Sequence, residues 1–388
     1  MSERPTVAIV GAGLGGLTVA AVLHHAGCFS NATVHVYERD ASAEVRQHLG
    51  GSLDMHAGTG QAALKAAGLE TQFKANSRPE GEAVIVTNKT GVPLFEDQPP
   101  PGKSPSDRPE IDRTVLRKLL LDALPADCVQ WDHALSSASP VEDGTGRHEL
   151  VFENGHRVTC ALLIGADGAR SRVRPLVSPA QPSYAGITGV EISLAPGSAP
   201  DLEPRVGNGM MCAFDSPGRA IMSQRNGDGR IRTYAWFKHD NPDAFPNTDP
   251  EAVLSRLGEM YADWAPWLRE IIARADRAAV YPRPLFTLPP DHNWAHRKGV
   301  TLVGDAANLM SPFAGEGANV AMRAALDLAQ ALIGARSPDD WDAAVKKYEA
   351  KRVKYATSAA KESAENLELA FKDGAAETSS LSGLRDKR

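Results

Sequence analysis

The chain has 388 residues, 42% hydrophobic and 23% charged, with 34 glycines and 27 prolines. That is enough for two or three domains, and it excludes a disordered chain, a collagen and a small disulfide scaffold. Its 42 basic and 48 acidic side chains give a net charge of −6 with no basic run, so no nucleic-acid partner is expected.

Four cysteines, Cys28, Cys128, Cys160 and Cys212, stand singly without a C-x-x-C, as in a reducing compartment. The stretch from Pro5 to Leu23 is uncharged and follows Arg4, which also suits a signal peptide or membrane span. Glycines interrupt it, and neither a cleavage site nor a positive cluster follows. A cytoplasmic protein without membrane contact is therefore expected.

Thr6 to Val10 reads as a buried strand, followed at once by Gly11-Ala-Gly13-Leu-Gly-Gly16. Leu17 to Ala26 has helical spacing and stops at Gly27; Thr33 to Tyr37 is a second strand ending at Glu38. Strand, glycine turn, helix and acid-terminated strand make a dinucleotide site. Gly11 serves the backbone angles of the turn. Gly13 lets the main chain approach a pyrophosphate, and Gly16 lets helix and sheet pack closely. The helix N-terminus offers N–H groups to phosphates, and Glu38 suits the adenosine ribose hydroxyls. NAD and FAD share this ADP end, so the unit alone does not choose between them.

Ala161 to Arg174 is a buried strand running into a loop with Asp167, Gly168 and three arginines. Residues 182–282 differ: Tyr184 to Leu194, Gly209 to Phe214, Arg219 to Ser223 and Arg230 to Phe237 are strand-like. The last alternates Ile231, Thr233, Ala235 and Phe237 with Arg232, Tyr234 and Trp236. It is either a sheet with one dry and one wet face or a roof over a substrate cavity, and the pattern leaves open which face points inward.

Gly299 to Asn308 is another buried strand ending at an acid, Asp305, placed to accept hydrogen bonds from a polyol. Pro312-Phe-Ala-Gly315-Glu-Gly317 follows, then a helix from about residue 320 to 333. Gly315 and Gly317 let the backbone lie against a flat ring system. FAD carries a ribityl polyol; NAD does not. Ser337-Pro338-Asp339-Asp340 is a helix start, and helical spacing continues to about Phe371. At about 1.5 Å per residue this is a rod of roughly 50 Å, either strapping the domains together or dimerising. His292 and His296 lie four apart among Pro, Asp and Asn, and no metal site is expected there.

The fingerprint, the Asp167-Gly168 "DG" motif and the Gly304-Asp305 "GD" motif, in this order, resemble the class A flavin-dependent monooxygenases of the aromatic hydroxylase superfamily. Gly50-Gly-Ser-Leu-Asp54-Met-His-Ala-Gly-Thr-Gly60-Gln and Pro109-Glu-Ile-Asp-Arg113-Thr-Val-Leu-Arg117 are similar to its tetracycline-inactivating branch, the tetracycline destructases, as are Asp305 and the Pro312–Gly315 loop. The expected fold is α/β: a Rossmann-like FAD-binding domain of the glutathione-reductase type, a β-sheet substrate domain and a long C-terminal helix. The FAD-binding domain would be discontinuous, over 1–75, 103–180 and 283–335. The substrate domain would comprise 76–102 and 181–282, followed by a bridging helix over 337–372 and a frayed tail over 373–388.

The resemblance implies that Glu38 and Arg39 hold the adenosine half of FAD, while Asp54, Arg113 and Asp305 hold its ribityl and flavin portions. Arg46 matches an arginine associated with NADPH; Arg117 and Asp167 are further carry-overs, and Pro312, Gly315 and Gly317 belong to the flavin loop. Read as plain structure, Asp54 could cap the turn before Met55, and Arg113 and Arg117 could be a surface basic pair. Candidate substrate residues are Gly189, Met210, Arg232 and Phe313. The first three stand where the tetracycline-inactivating enzymes carry Gln, Arg and His contacts, respectively, so a tetracycline substrate does not carry over directly. Asn308, Glu316 and Ala324 replace the His, Gln and acid common in the family, which bears on flavin mobility and reduction.

The implied activity is an NAD(P)H-consuming monooxygenation of an aromatic or polycyclic enolic small molecule, possible tetracycline-like compounds included. NADPH or NADH, bound transiently, reduces FAD, and a flavin C4a-(hydro)peroxide formed with O2 delivers one oxygen atom. Hydroxylation, Baeyer–Villiger insertion and antibiotic inactivation are not separated. The alternatives are a flavoprotein that sequesters a ligand without turnover and an NAD-dependent dehydrogenase. A monomer is expected.

Overall fold

The structure, a computed structural model, describes residues 4–27, 32–46, 50–97, 108–215, 218–245, 249–335 and 338–372. Cys28, Ser337, the 373–388 tail and the expected boundary near residue 102 lie outside them.

Short β-branched strands build a five-stranded parallel sheet in the order Val300–Leu302, Leu162–Gly165, Thr6–Val10, Thr33–Tyr37, Val129–Gln130. Parallel sheets are covered on both faces, and the central strand shows why its run is uniformly apolar. Val7 and Ile9 face a core shared with the helices Leu14–His25 and Gly317–Ile333. Ala8 and Val10 face the other core, with Leu163, Leu302 and Phe152. The fingerprint helix starts at Leu14, one turn before the expected Leu17, because the Gly15–Gly16 pair continues the helix rather than the turn.

A second sheet of seven strands runs Tyr281–Thr287, Ser183–Leu194, Ile231–Lys238, Arg219–Arg225, Met210–Asp215, Val84–Asn88, Pro93–Asp97. Its dry face packs Ile231, Ala235 and Phe237 against the helices Pro250–Met260 and Pro266–Ala273. Tyr234 and Trp236, on the opposite face, line a large cleft. This answers the question the alternation left open: the apolar face is roofed by helices, and the aromatic face looks inward.

The helix Pro338–Ala370 holds to both sheets. Tyr348 donates from its hydroxyl to the Leu302 carbonyl at 2.8 Å. Glu349 accepts from Trp294 Nε1 at 3.0 Å and Thr301 Oγ1 at 2.8 Å. Beyond the far end of the helix, Phe371 packs with Trp236 and Phe214 of the second sheet. Among the described residues, no helix is long and apolar enough to cross a membrane.

Candidate active site

A cleft of about 2090 Å³ runs from the fingerprint loop to the inner face of the second sheet. It is roomier than the ~300–1,000 Å³ of a site for one drug-sized ligand.

The three fingerprint glycines do three different things. Gly11 has φ +108°, and a Cβ there would collide with the Ala166 carbonyl oxygen. A Cβ at Gly16 would collide with the Gly11 carbonyl oxygen. Gly13 lines the cleft with open space where its Cβ would stand. The helix beginning at Leu14 has no side-chain cap and no acid in its first turn, so its unpaired N–H groups face the cleft.

Glu38 is buried and accepts from Ala12 N–H at 2.6 Å and Asp40 N–H at 3.1 Å, which ties the second strand to the fingerprint loop. Arg117 braces the same loop by donating to the Ala12 carbonyl at 3.1 Å and the Ala43 carbonyl at 3.2 Å. It is thus no surface partner of Arg113. Arg39 lines the cleft. Arg46 ends the short turn Ala43–Arg46, and its side chain lies outside the described residues.

Arg113 and Asp305 both line the cleft. Burial raises the Asp305 carboxyl, against the opposing charges of Arg113 and Arg174. Asp54 does not cap the turn before Met55, whose N–H goes to the Pro109 carbonyl at 3.1 Å. Its carboxylate meets His56 Nε2 at 2.8 Å, and the other ring nitrogen of His56 lies 3.4 Å from Glu316. Glu316, in place of the family's Gln, is therefore part of a carboxylate–imidazole–carboxylate bridge. Gly315, at φ +70°, and Gly317 open the loop after Pro312, and the helix from Gly317 also lacks a side-chain cap and an acid in its first turn.

Asp167 lines the cleft, yet its carboxylate is spent on its own loop: Ser171 Oγ donates at 2.5 Å and Arg172 N–H at 2.7 Å. Arg174, singled out only as one of three arginines, proves to be the link between the two late motifs. It is 1% exposed. It donates to the carbonyls of Ala306 at 2.8 Å, Ala169 at 2.9 Å, Asp305 at 3.2 Å and Gly168 at 3.4 Å. Nothing in the spacing marks which of the three turns inward. Asn308, where the family commonly has His, accepts from Arg352 at 2.5 Å and does not line the cleft. His292 and His296 bond to different partners, the Ala307 carbonyl with Ser178 and Glu349 with Asp342.

Of the candidate substrate residues, Met210 and Phe313 line the cleft; Gly189 and Arg232 do not. A Cβ at Gly189 would collide with the Trp236 indole, so this glycine lets the ring lie flat on the sheet. Arg232 is buried in an ion pair with Glu191. The wall is aromatic instead: Tyr234 and Trp236 stack at 5.5 Å and 12°, with Phe313 5.7 Å from Trp236. Tyr234 and Trp236 are legible in the sequence as one face of a strand, but not as the face that points inward.

Two uncapped helix ends, a glycine-lined floor and a basic side chain opposite a carboxyl suit a long cofactor with phosphates, a polyol and a flat ring. Residues 4–363 match the FAD binding domain family. The Monooxygenase penA of Penicillium thymicola is 30% identical, over 96% of each chain. Klebsiella pneumoniae HpxO, solved with FAD and uric acid, superposes with a TM-score of 0.78 at 20% identity, over 100% of this chain and 92% of that one. The tetracycline destructase Tet(51) superposes with a TM-score of 0.73 at 20% identity, over 99% and 96%. The chain belongs to the FAD binding domain family and is an FAD-dependent monooxygenase.

Proposed function

We propose that the chain consumes NADPH or NADH and transfers one oxygen atom of O2 to an aromatic or polycyclic enolic small molecule. The supporting observation is that one cleft joins the fingerprint loop to the Tyr234–Trp236–Phe313 wall. FAD, when bound, supplies the electron transfer and oxygen activation. The N–H groups beside Gly13 would take its pyrophosphate, Glu38 and Arg39 its adenosine, and Asp54, Arg113 and Asp305 its ribityl and ring portions.

The remaining work belongs to the chain itself. Arg113 and the uncapped helix end at Gly317 offer positive charge where the ring would lie, which favours its anionic reduced form. Arg170 and Arg172 line the cleft and suit the phosphates of a transient nicotinamide nucleotide. Tyr234, Met210 and Phe313, backed by the buried Trp236, exclude water and give a flat substrate a surface to pack on. A tetracycline-like compound is one member of this substrate class.

The test is the absorption spectrum of the purified protein, followed by stopped-flow mixing with NADPH and with NADH. The substrate panel holds an aromatic acid, a naphthol and a tetracycline, with ¹⁸O2 traced into product. The expected result is a flavin spectrum, substrate-stimulated reduction and a labelled product. A flavin spectrum with no labelled product from any class would leave ligand sequestration in its place.

A further inference from the structure

Glu191 is set in the wall of the cleft with its side chain 4% exposed, and it receives two guanidinium groups. Arg232, also 4% exposed, pairs with one carboxylate oxygen. Arg283 donates from Nε to the other at 3.0 Å. One arginine would neutralise the carboxylate; two leave the cluster with a net positive charge.

The second arginine differs from the first in where it ends. Arg283 stands on the sheet's edge strand, lines the cleft and is 43% exposed. Its two terminal nitrogens make no hydrogen bond to a described residue. The strand register puts Arg283, Gly189 and Trp236 in one row across the sheet, and Tyr281, Glu191 and Tyr234 in the next. Paired residues share a face. The indole lies over Gly189 and is itself 3% exposed, so the open aromatic surface near the guanidinium end is the half-buried Tyr234 ring. Burial and the Glu191 charge push the Tyr234 phenol up to about 12, against Arg232, Arg113 and Arg283. The phenol in the adjacent row stays neutral and does not compete for the cation.

We propose that Arg283 is the specificity-determining cation of the substrate cavity, reading the carboxylate of an aromatic acid whose ring lies against Tyr234. Glu191 is a positioning residue: it fixes one edge of the guanidinium and leaves the terminal nitrogens to take two carboxylate oxygens. This assignment rests on the monooxygenase reading and narrows it to anionic substrates.

The test uses FAD-loaded protein and two matched probe pairs, 2-naphthoate with 2-naphthamide and salicylate with salicylamide, titrated by the change in flavin absorbance. Each acid is expected to bind about ten- to a hundredfold more tightly than its amide. Arg283→Gln abolishes that preference with FAD content retained, and Arg283→Lys keeps part of it. Glu191→Gln weakens both acids and leaves the amides unchanged. Equal affinity for acid and amide, no response to the acids, or a preference that survives Arg283→Gln overturns the assignment and leaves the monooxygenase reading standing. A protein that takes up no FAD overturns that reading itself, and the spectrum shows this before any probe is added.

Discussion

Replacing Arg174 with methionine keeps most of its buried volume and removes every donor between the Asp167–Gly168 and Gly304–Asp305 loops. Two of its bonds, at 2.8 and 2.9 Å, are of full strength; those at 3.2 and 3.4 Å are weaker. At about 1.5–3 kcal/mol for each charged hydrogen bond, the strong pair amounts to about 3–6 kcal/mol. Water reaching the freed carbonyls from the cleft brings the expected loss of stability to about 3–4 kcal/mol. The same change takes a cation away from Asp305, whose carboxyl burial already raises. The carboxyl is pushed further in that direction, and FAD affinity falls by at least about tenfold. Urea unfolding of the apoprotein and FAD titration by flavin fluorescence read the two effects separately. A variant that loses stability but binds FAD as tightly as the unmodified chain would show that Arg174 does not couple the loops to the cofactor.

Gly11→Ala is expected to cost several kcal/mol, from a positive φ and a collision with the Ala166 carbonyl; thermal unfolding and flavin content check it. Burial pushes the Glu110 carboxyl up to about 8 from its ordinary 4.5. The folded chain thus holds a proton that the unfolded chain has released, and stability falls as pH rises from about 4.5 to 8. Glu110→Gln should flatten that slope, as measured by urea unfolding across the window; an unchanged slope would assign it to another group. Gly189→Ala displaces the Trp236 indole into the cleft. It should raise KM for an aromatic substrate by about tenfold or more and leave FAD content intact, which steady-state kinetics with a flavin spectrum will show.

How much of the site was legible depended on the range of the interaction. Gly11, Gly13 and Gly16 could be assigned separate tasks because each task is set by local backbone angles or by the packing of adjacent elements. Asp305 could be placed because an acid after a β-rich run falls at a strand end whatever surrounds it. The partners of Asp54 could not. Its imidazole, His56, stands only two residues on, but nothing local turns it toward the carboxylate, and the second carboxylate, Glu316, lies far along the chain. Gly189 and Arg232 were assigned to the substrate by alignment. The register shows one to be a spacer under an indole and the other half of a buried ion pair.

The amino-acid order by itself determined the parallel sheet, the helices that follow the glycine-rich turns, the long terminal helix and the positions of the glycine and acid motifs. All of these follow from periodicity and local conformational preference over a few consecutive residues. Tertiary structure alone decided which face of the Ile231–Lys238 strand became the cavity wall, that Arg174 joins two loops, and that Glu191 anchors Arg283 beside Trp236. The reason is physical. A strand's alternation is symmetric between its two faces, and a long side chain reaches in any direction. Only the packing of distant segments selects the face that is buried and the atom that is met.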